Sequence, residues 1–288
     1  MKKIALATLS FICYTAVAVA QAPAQVSKVV QAEEAFNKLV ARKGIKNGFL
    51  AVADPEGIVF KPKVVKITDF YEGVEKQPGT LQWTPKIARI SYDGDLAFTA
   101  GPYVYQNGKS EDDKVFGDYV SVWHADGDGK LKLLIDLGIQ HPEMEKEATT
   151  DFKDPDPSKK PVKNKDPFNG KNIILATDKM LNQALTISSL GAYKEFLSAE
   201  GRYYFPGFEP MMGTDQVLKF LNNEAINISA ETISGGRSTS NDLAYTYGRA
   251  RIKKGEIVSN YNYVRIWELD ATKHTWNILL EVFSAIEN

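Results

Sequence analysis

The chain has 288 residues, 43% of them hydrophobic and 25% charged, with a formal net charge of −1. That length predicts about two domains, and that composition predicts an ordinary folded protein. Near-balanced charge without a basic stripe argues against nucleic-acid or anionic-membrane binding.

The first twenty residues read as a secretory signal of bacterial type. Lys2 and Lys3 precede an apolar run from Ile4 to Ala20, and Ala18-Val19-Ala20 offers a small-x-small cleavage site before Gln21. The run is at the short limit for a membrane span and has no basic stop-transfer flank. Ser10-Phe11-Ile12 before Cys13 makes a poor lipobox. The expectation is export to the periplasm or beyond, with no membrane attachment after cleavage. Cleavage removes Cys13, the one cysteine, so the mature protein has no disulfide, thiolate nucleophile or cysteine-ligated metal. It also leaves 33 basic against 36 acidic residues, a net charge near −3.

Residues 21–27 read as a tether. From Lys28, Ala32, Phe36, Leu39 and Val40 fall at helical spacing, Gly44 breaks or kinks the run, and Ile45, Phe49 and Val52 continue it. Asp54-Pro55-Glu56-Gly57 predicts a turn, and Ile58–Phe60 a short strand stopped by Lys61-Pro62. Thr68-Asp69 predicts an N-cap for a helix through Val74. After Pro78-Gly79, residues near 82–92, 95–106, 114–125 and 131–139 are rich in Val, Ile, Tyr, Phe and Trp. Turns at Asp93-Gly94, Asn107-Gly108 and Asp126–Gly129 separate them. Helices followed by a meander of long strands give an α+β domain over 28–142.

Residues 143–172, with Pro155, Pro157, Pro161 and Pro167 among many charges, predict an extended, partly docked linker. The second domain is placed at 173–288. Thr177-Asp178 reads as a helix cap, and Met180, Ala184, Tyr193 and Phe196 keep helical spacing. Gly235-Gly236-Arg237-Ser238 reads as a loop, and not as a phosphate cradle, because no helix follows.

The second half repeats the first. Glu56-Gly57 matches Glu200-Gly201 and Pro62 matches Pro206 at an offset of 144, and Thr68-Asp69 matches Thr214-Asp215 at 146. Asp95-Leu96-Ala97 matches Asp242-Leu243-Ala244 and Gly101 matches Gly248 at 147; Trp123 matches Trp267 at 144; Asp136 matches Glu281 at 145. A period this long means tandem domains, not a solenoid.

The order helix, EGIVFKP, helix at Thr68-Asp69, GDLAFTAGPY, YVSVW, DGDGKLKLLIDLGIQHP resembles the SnoaL-like and DUF-type domains of the nuclear transport factor 2-like, or ketosteroid isomerase-like, superfamily. The resemblance covers about residues 30–142, and the repeat brings in 175–287 as a divergent copy. It implies two tandem cone-shaped domains, each a curved antiparallel sheet wrapped around N-terminal helices with a pocket at the open end. It implies no particular function, since such cones serve isomerases, dehydratases, cyclases and binders. It also implies pairing through the outer face of the sheet, here as a pseudo-dimer within one chain.

Asp136 stands in the apolar run Leu133–Leu137. It is either a pocket carboxylate with a raised pKa, fit to act as a general base, or a structural acid capping loop amides or pairing an arginine such as Arg89. Glu281 keeps an acid at the matching place. His141 follows the same strand, either at the pocket rim or as a structural residue. His124 and His274 fall at turns and are expected to be exposed. Trp83, Tyr103 and Tyr119 in the first copy, and Tyr203, Tyr247 and Tyr263 in the second, are candidate ligand-binding aromatics, each offering an apolar face with a polar tip. Phe98, Trp123 and Trp267 read as core. Arg249, Arg251 and Arg265 would favour an anionic ligand if they face inward, and otherwise read as a solvated or interface set. Asp126–Lys130 resembles part of a calcium loop, but His124 and Ile135 stand where acids are required.

No metal or cofactor is expected. The sequence leaves three functions open: a binder of a small apolar or aromatic molecule; an isomerase, dehydratase or cyclase using Asp136 as base with His141 or Tyr103 as partner; and a structural or interaction module with both pockets filled.

Overall fold

The computed structural model describes residues 22–158, 167–270 and 272–286; the expected signal peptide lies outside them. The first unit opens with α1 (Ser27–Lys43), whose buried residues Val29, Glu33, Phe36 and Val40 form one stripe. Gly44, at φ 81°, ends α1 by donating its N–H to Val40 O, and α2 (Ile45–Val52) starts at once. There follow β1 (Ala53–Phe60), β2 (Val64–Lys66), α3 (Ile67–Gly73), β3 (Thr80–Trp83), β4 (Ile87–Ile90), β5 (Leu96–Gln106), β6 (Lys114–Ala125), β7 (Leu131–Gln140) and β8 (Asp151–Lys153). The sheet runs β2-β1-β7-β6-β5-β4-β8, with β3 pairing the far end of β5. β5, β6 and β7 form an antiparallel meander, while β1 joins β7 in parallel.

The second unit repeats this plan with α4 (Pro167–Ile187), α5 (Ser189–Phe196), β9 (Leu197–Tyr204), β10 (Met211–Met212), α6 (Gly213–Asn223), β11 (Ile226–Arg237), β12 (Leu243–Lys254), β13 (Ile257–Asp270) and β14 (Thr275–Ala285). Its order, β10-β9-β14-β13-β12-β11, matches that of the first sheet. The chain is thus α+β twice over, with helices on the inner face of each curved sheet.

Five local expectations give way to tertiary context. Asp54–Gly57 is not a turn between helix and strand but an irregular part of β1, whose register against β7 shifts between Ala53 and Ile58. Gly57 is there for close approach, since a Cβ on it would meet Leu133 O at 2.6 Å. Thr68 and Asp69 lie inside the first turn of α3, with Lys66 at the N-cap and no side-chain cap. The expected linker carries structure: residues Asp151–Lys153 pair with β4, and α4 begins at Pro167, a residue favoured in a first helical turn. Thr177-Asp178 is therefore mid-helix, and Gly235–Arg237 belongs to β11, paired with residues 244–246.

The outer faces of the two sheets pack on each other. Phe98, Val120, Val122, Ile135 and Leu137 of the first share one apolar cluster with Tyr204, Val264, Ile266, Leu280 and Val282 of the second. The rim of this contact is reciprocal. Tyr92 donates its N–H to Asp242 Oδ2 at 2.7 Å, and Thr239 donates its N–H to Asp95 Oδ2 at 2.8 Å. Tyr92 and Thr239 are repeat equivalents, as are Asp95 and Asp242, so each turn caps the other as in a two-fold interface. Asp151 adds a bridge, accepting from Arg89 at 3.0 Å and Arg202 at 2.9 Å.

Candidate functional site

A cavity of about 740 Å³ opens inside the first unit. Phe36, Ile45 and Phe49 from the helices, Tyr71 from α3, and Trp83, Tyr103, Tyr119 and Asp136 from the sheet line it; Lys61, Pro62 and Gln77 lie nearer its mouth, with Ser284 and Ala285 of the second unit. Tyr103 lies over a bare stretch of sheet. A Cβ on Gly117 would come within 2.7 Å of its ring and one on Gly138 within 3.3 Å, so glycine at both places leaves the ring room to lie flat.

Two carboxyls serve this interior without a paired cation. Glu33 is fully buried on α1. Its Oε1 accepts from Trp83 Nε1 at 2.5 Å, and its Oε2 accepts from Thr99 Oγ1 at 2.5 Å and Trp123 Nε1 at 2.9 Å. Burial pushes its pKa up to about 7; these three donors oppose the shift, and the charge of Asp136 adds to it. Asp136 sits deep in the fold yet shows part of its side chain to the cavity. Burial pushes it up to about 6, against a hydrogen bond from Ser121 Oγ at 3.1 Å and the charge of Lys61. Lys61 is exposed and makes no ion pair with it. The Tyr119 hydroxyl is buried beside Thr99 with no well-formed hydrogen bond, and burial raises the Tyr71, Tyr103 and Tyr119 pKa values, keeping all three hydroxyls neutral.

The second unit treats the same place differently. Asp178 on α4 stands where Glu33 stands, each accepting from a β-strand threonine: Thr246 Oγ1 at 2.9 Å for Asp178, Thr99 for Glu33. Glu281 matches Asp136. Between the two acids lies Arg265, fully buried, with Nη1 at 2.7 Å from Asp178 Oδ1 and Nε at 2.6 Å from Glu281 Oε1. Nη1 also donates to Asn182 Oδ1 at 2.7 Å, and the guanidinium carbon is 4.1 Å from the Tyr263 ring centroid. Burial raises the Asp178 pKa, but Arg265 and its hydrogen bonds more than offset that and leave it lowered. Glu281 stays raised by burial, with Arg265 opposing. Aromatic rings fill the space around: Tyr203 lies 5.3 Å from Tyr193, 5.5 Å from Phe283 and 5.9 Å from Phe220.

Of the residues singled out in the sequence, Trp83, Tyr103, Tyr119 and Asp136 come together around the cavity. His141 does not join them. It sits on the outer face, with Nε2 at 2.6 Å from Asp118 Oδ2 and Nδ1 at 2.7 Å from Pro142 O. Burial lowers its pKa, but Asp118, the Pro142 carbonyl and Glu209 outweigh this and raise it. Tyr203, Tyr263 and Glu281 are packed inside the second unit, and Tyr247 lies at the contact between units, its ring 6.1 Å from Phe60. Arg89 pairs with Asp151 and not with Asp136. Arg265 is buried and not solvated, because two acids hold it; Arg249 and Arg251 are exposed. His274 is exposed as expected, and His124, also exposed, faces Asp54 at 3.2 Å.

Sequence reasoning missed Glu33. The offset that relates Asp136 to Glu281 also relates Glu33 to Asp178, and Ser121 to Arg265 follows from Trp123 and Trp267. Among the described residues no cluster of three or more His, Cys, Asp or Glu side chains is placed to hold a metal, and no helix is long and apolar enough to cross a membrane.

No family model and no curated protein matches the chain. The chain is similar to several solved structures. A ketosteroid isomerase-like protein from Erwinia carotovora atroseptica is 16% identical over 42% of this chain and 99% of its own, with a TM-score of 0.38. An NTF2-like protein from Cytophaga hutchinsonii is 16% identical over 40% of this chain and 97% of its own, with a TM-score of 0.34. An LEH-like epoxide hydrolase from M. tuberculosis is 13% identical over 40% of this chain and 80% of its own, with a TM-score of 0.31.

Proposed function

We propose that this chain is an exported binding protein whose first domain holds a small, flat, largely apolar molecule. The second domain is its built-in partner, a closed copy that braces the outer face of the first sheet as the second half of a pseudo-dimer. One observation carries this reading: a cavity of about 740 Å³ walled by Phe49, Tyr71, Trp83, Tyr103 and Tyr119 lies inside the first unit, where the matching interior of the second holds Arg265 and its two acids. Its volume falls in the range of small-molecule sites, and its aromatic walls stand beside polar groups such as Asp136 and the tyrosine hydroxyls that can orient a ligand. An interaction module with both interiors filled fits this contrast poorly.

A ligand in this cavity contacts Trp83. Binding is therefore expected to change tryptophan fluorescence and to raise the melting temperature by mass action. Leu81→Trp, which fills the cavity from its wall, is expected to abolish both responses without unfolding the protein. If no compound in a broad metabolite panel stabilises the wild type, the reading fails.

A second reading has one observation in its favour. Asp136, on the cavity wall with a pKa raised to about 6, is poised to take a proton near neutral pH. In an enzyme it would be the base, and Tyr103 the nearby hydrogen-bond donor, since His141 lies on the other face of the sheet. Asp136→Asn would then remove turnover while leaving binding intact.

Export rests on residues 1–20 alone. The intact mass of the protein recovered from outside the cytoplasm is expected to correspond to a chain starting at Gln21. A mass retaining Met1 would overturn it.

A further inference from the structure

The two halves place an acid on the helix, an acid on the last strand and a tyrosine at matching positions, but differ in what lies between them. In the second unit the Arg265 guanidinium lies between Asp178 and Glu281 with the Tyr263 ring beneath it. The first unit has a counterpart for each neighbour: Glu33 for Asp178, Asp136 for Glu281 and Tyr119 for Tyr263. The cation is missing, and Glu33 takes indole donors from Trp83 and Trp123 where Asp178 takes hydroxyl donors from Thr232 and Tyr263. Ser121 stands at the place of Arg265, paired across the sheet with Thr99 and Asp136 as Arg265 is paired with Thr246 and Glu281. Ser121 is itself fully buried and lies outside the cavity wall, but its neighbours Tyr119 and Asp136 line the cavity.

We propose that the molecule bound by the first domain is a cation, an apolar or aromatic compound carrying a primary amine or guanidine group. Its charged end pairs with Asp136, the counterpart of the Glu281 that Arg265 pairs with in the second domain. This rests on the cavity being a binding site, as argued above.

The chemistry around the cavity fits that ligand. Asp136 supplies a direct carboxylate contact. Glu33, its oxygens held by Trp83, Thr99 and Trp123, supplies a second negative charge from behind. Trp83, Tyr103 and Tyr119 present rings to a cation that has shed its water. The titratable groups lining this end are Tyr71 from α3, Tyr103 from β5, Tyr119 from β6 and Asp136 from β7, with Glu33 from α1 buried behind them and Lys61 exposed near the mouth. The tyrosines stay neutral, so the inner end is acidic and the outer end basic. An anionic ligand would bring its charge against Asp136; an amine-headed ligand meets acids inside and leaves Lys61 to a neutral or anionic tail.

Calorimetry at pH 8 with 2-phenylethylamine and its neutral counterpart 2-phenylethanol tests this. The amine is expected to bind at least about tenfold more tightly. Asp136→Asn is expected to remove that preference, and Ser121→Arg, which rebuilds the second domain's cluster in the first, to abolish amine binding in a folded protein. Equal or tighter binding of the alcohol overturns the inference and leaves the binding site standing. Binding of neither overturns the inference, and the broad metabolite panel then decides separately whether the cavity is a binding site. Undiminished amine binding by Ser121→Arg also overturns the inference; if that variant does not fold, the Asp136→Asn comparison decides alone.

Discussion

Arg265→Met is expected to destabilise the protein by about 3–5 kcal/mol, the usual cost of leaving a buried charge without its partner. Arg265, Asp178 and Glu281 are all shielded from solvent. Removing the guanidinium leaves two carboxyls in the core, and it strips Asn182 Oδ1 of its 2.7 Å donor. A domain is stable by only about 5–15 kcal/mol, so this loss is a large part of the whole. Chemical denaturation followed by tryptophan fluorescence measures it, with Trp267 and Trp276 reporting the second unit and Trp83 and Trp123 the first. The cause can be separated from lost packing. Adding Asp178→Asn and Glu281→Gln removes the stranded charges, and the triple variant is expected to regain most of the loss. A triple variant as unstable as Arg265→Met would mean that shape, not charge, is what Arg265 contributes.

The contrast between Ser121 and Arg265 was present in the sequence but not legible there. An arginine in a tyrosine-rich strand has the same local pattern whether it faces water or a buried acid, and the partner acids come from 87 residues upstream and 16 downstream. Strand boundaries read well because alternation and Gly-Asp turns are local signals; β6 falls on residues 114–125 as expected. Signals that competed with long-range pairing read badly. Asp54-Pro55-Glu56-Gly57 has turn chemistry, yet the parallel partner β7 draws it into the sheet. His141 and Asp136 are five residues apart on what reads as one strand, so the sequence places them together. An odd separation along a strand puts them on opposite faces: Asp136 pairs with inward-facing Ser121, whereas His141 meets Asp118, which β6 points to the outer side.

Between pH 5 and pH 8 the wild-type protein is expected to lose stability, and Glu33→Gln is expected to lose less. Burial raises the Glu33 pKa from 4.5 to about 7, and the nearby Asp136 charge adds to it. The folded protein therefore keeps a proton on Glu33 over a range in which the unfolded chain has released it. More protons bound in the native state means that stability falls as pH rises from 4.5 to about 7 and levels off above. At about 1.4 kcal/mol per pKa unit the loss from this group is roughly 3 kcal/mol. Asp136 acts with the same sign at lower pH, as its pKa rises from 3.8 to about 6. His141 also acts with the same sign, since its raised pKa gives stability below 6.5 that is lost as pH climbs through the folded value. Subtracting the Glu33→Gln profile from the wild type cancels both to first order. The glutamine can keep the local bonds. Its carbonyl accepts from Trp83, its amide donates to Thr99 Oγ1, and Trp123 Nε1, already 3.4 Å from that oxygen, closes on it as Trp267 does on Thr246 at 2.8 Å. Urea midpoints across the pH range decide the matter: converging curves at pH 5 with the variant ahead at pH 8 support a buried acid that lacks its cation, and parallel curves would show that Glu33 titrates normally in the fold.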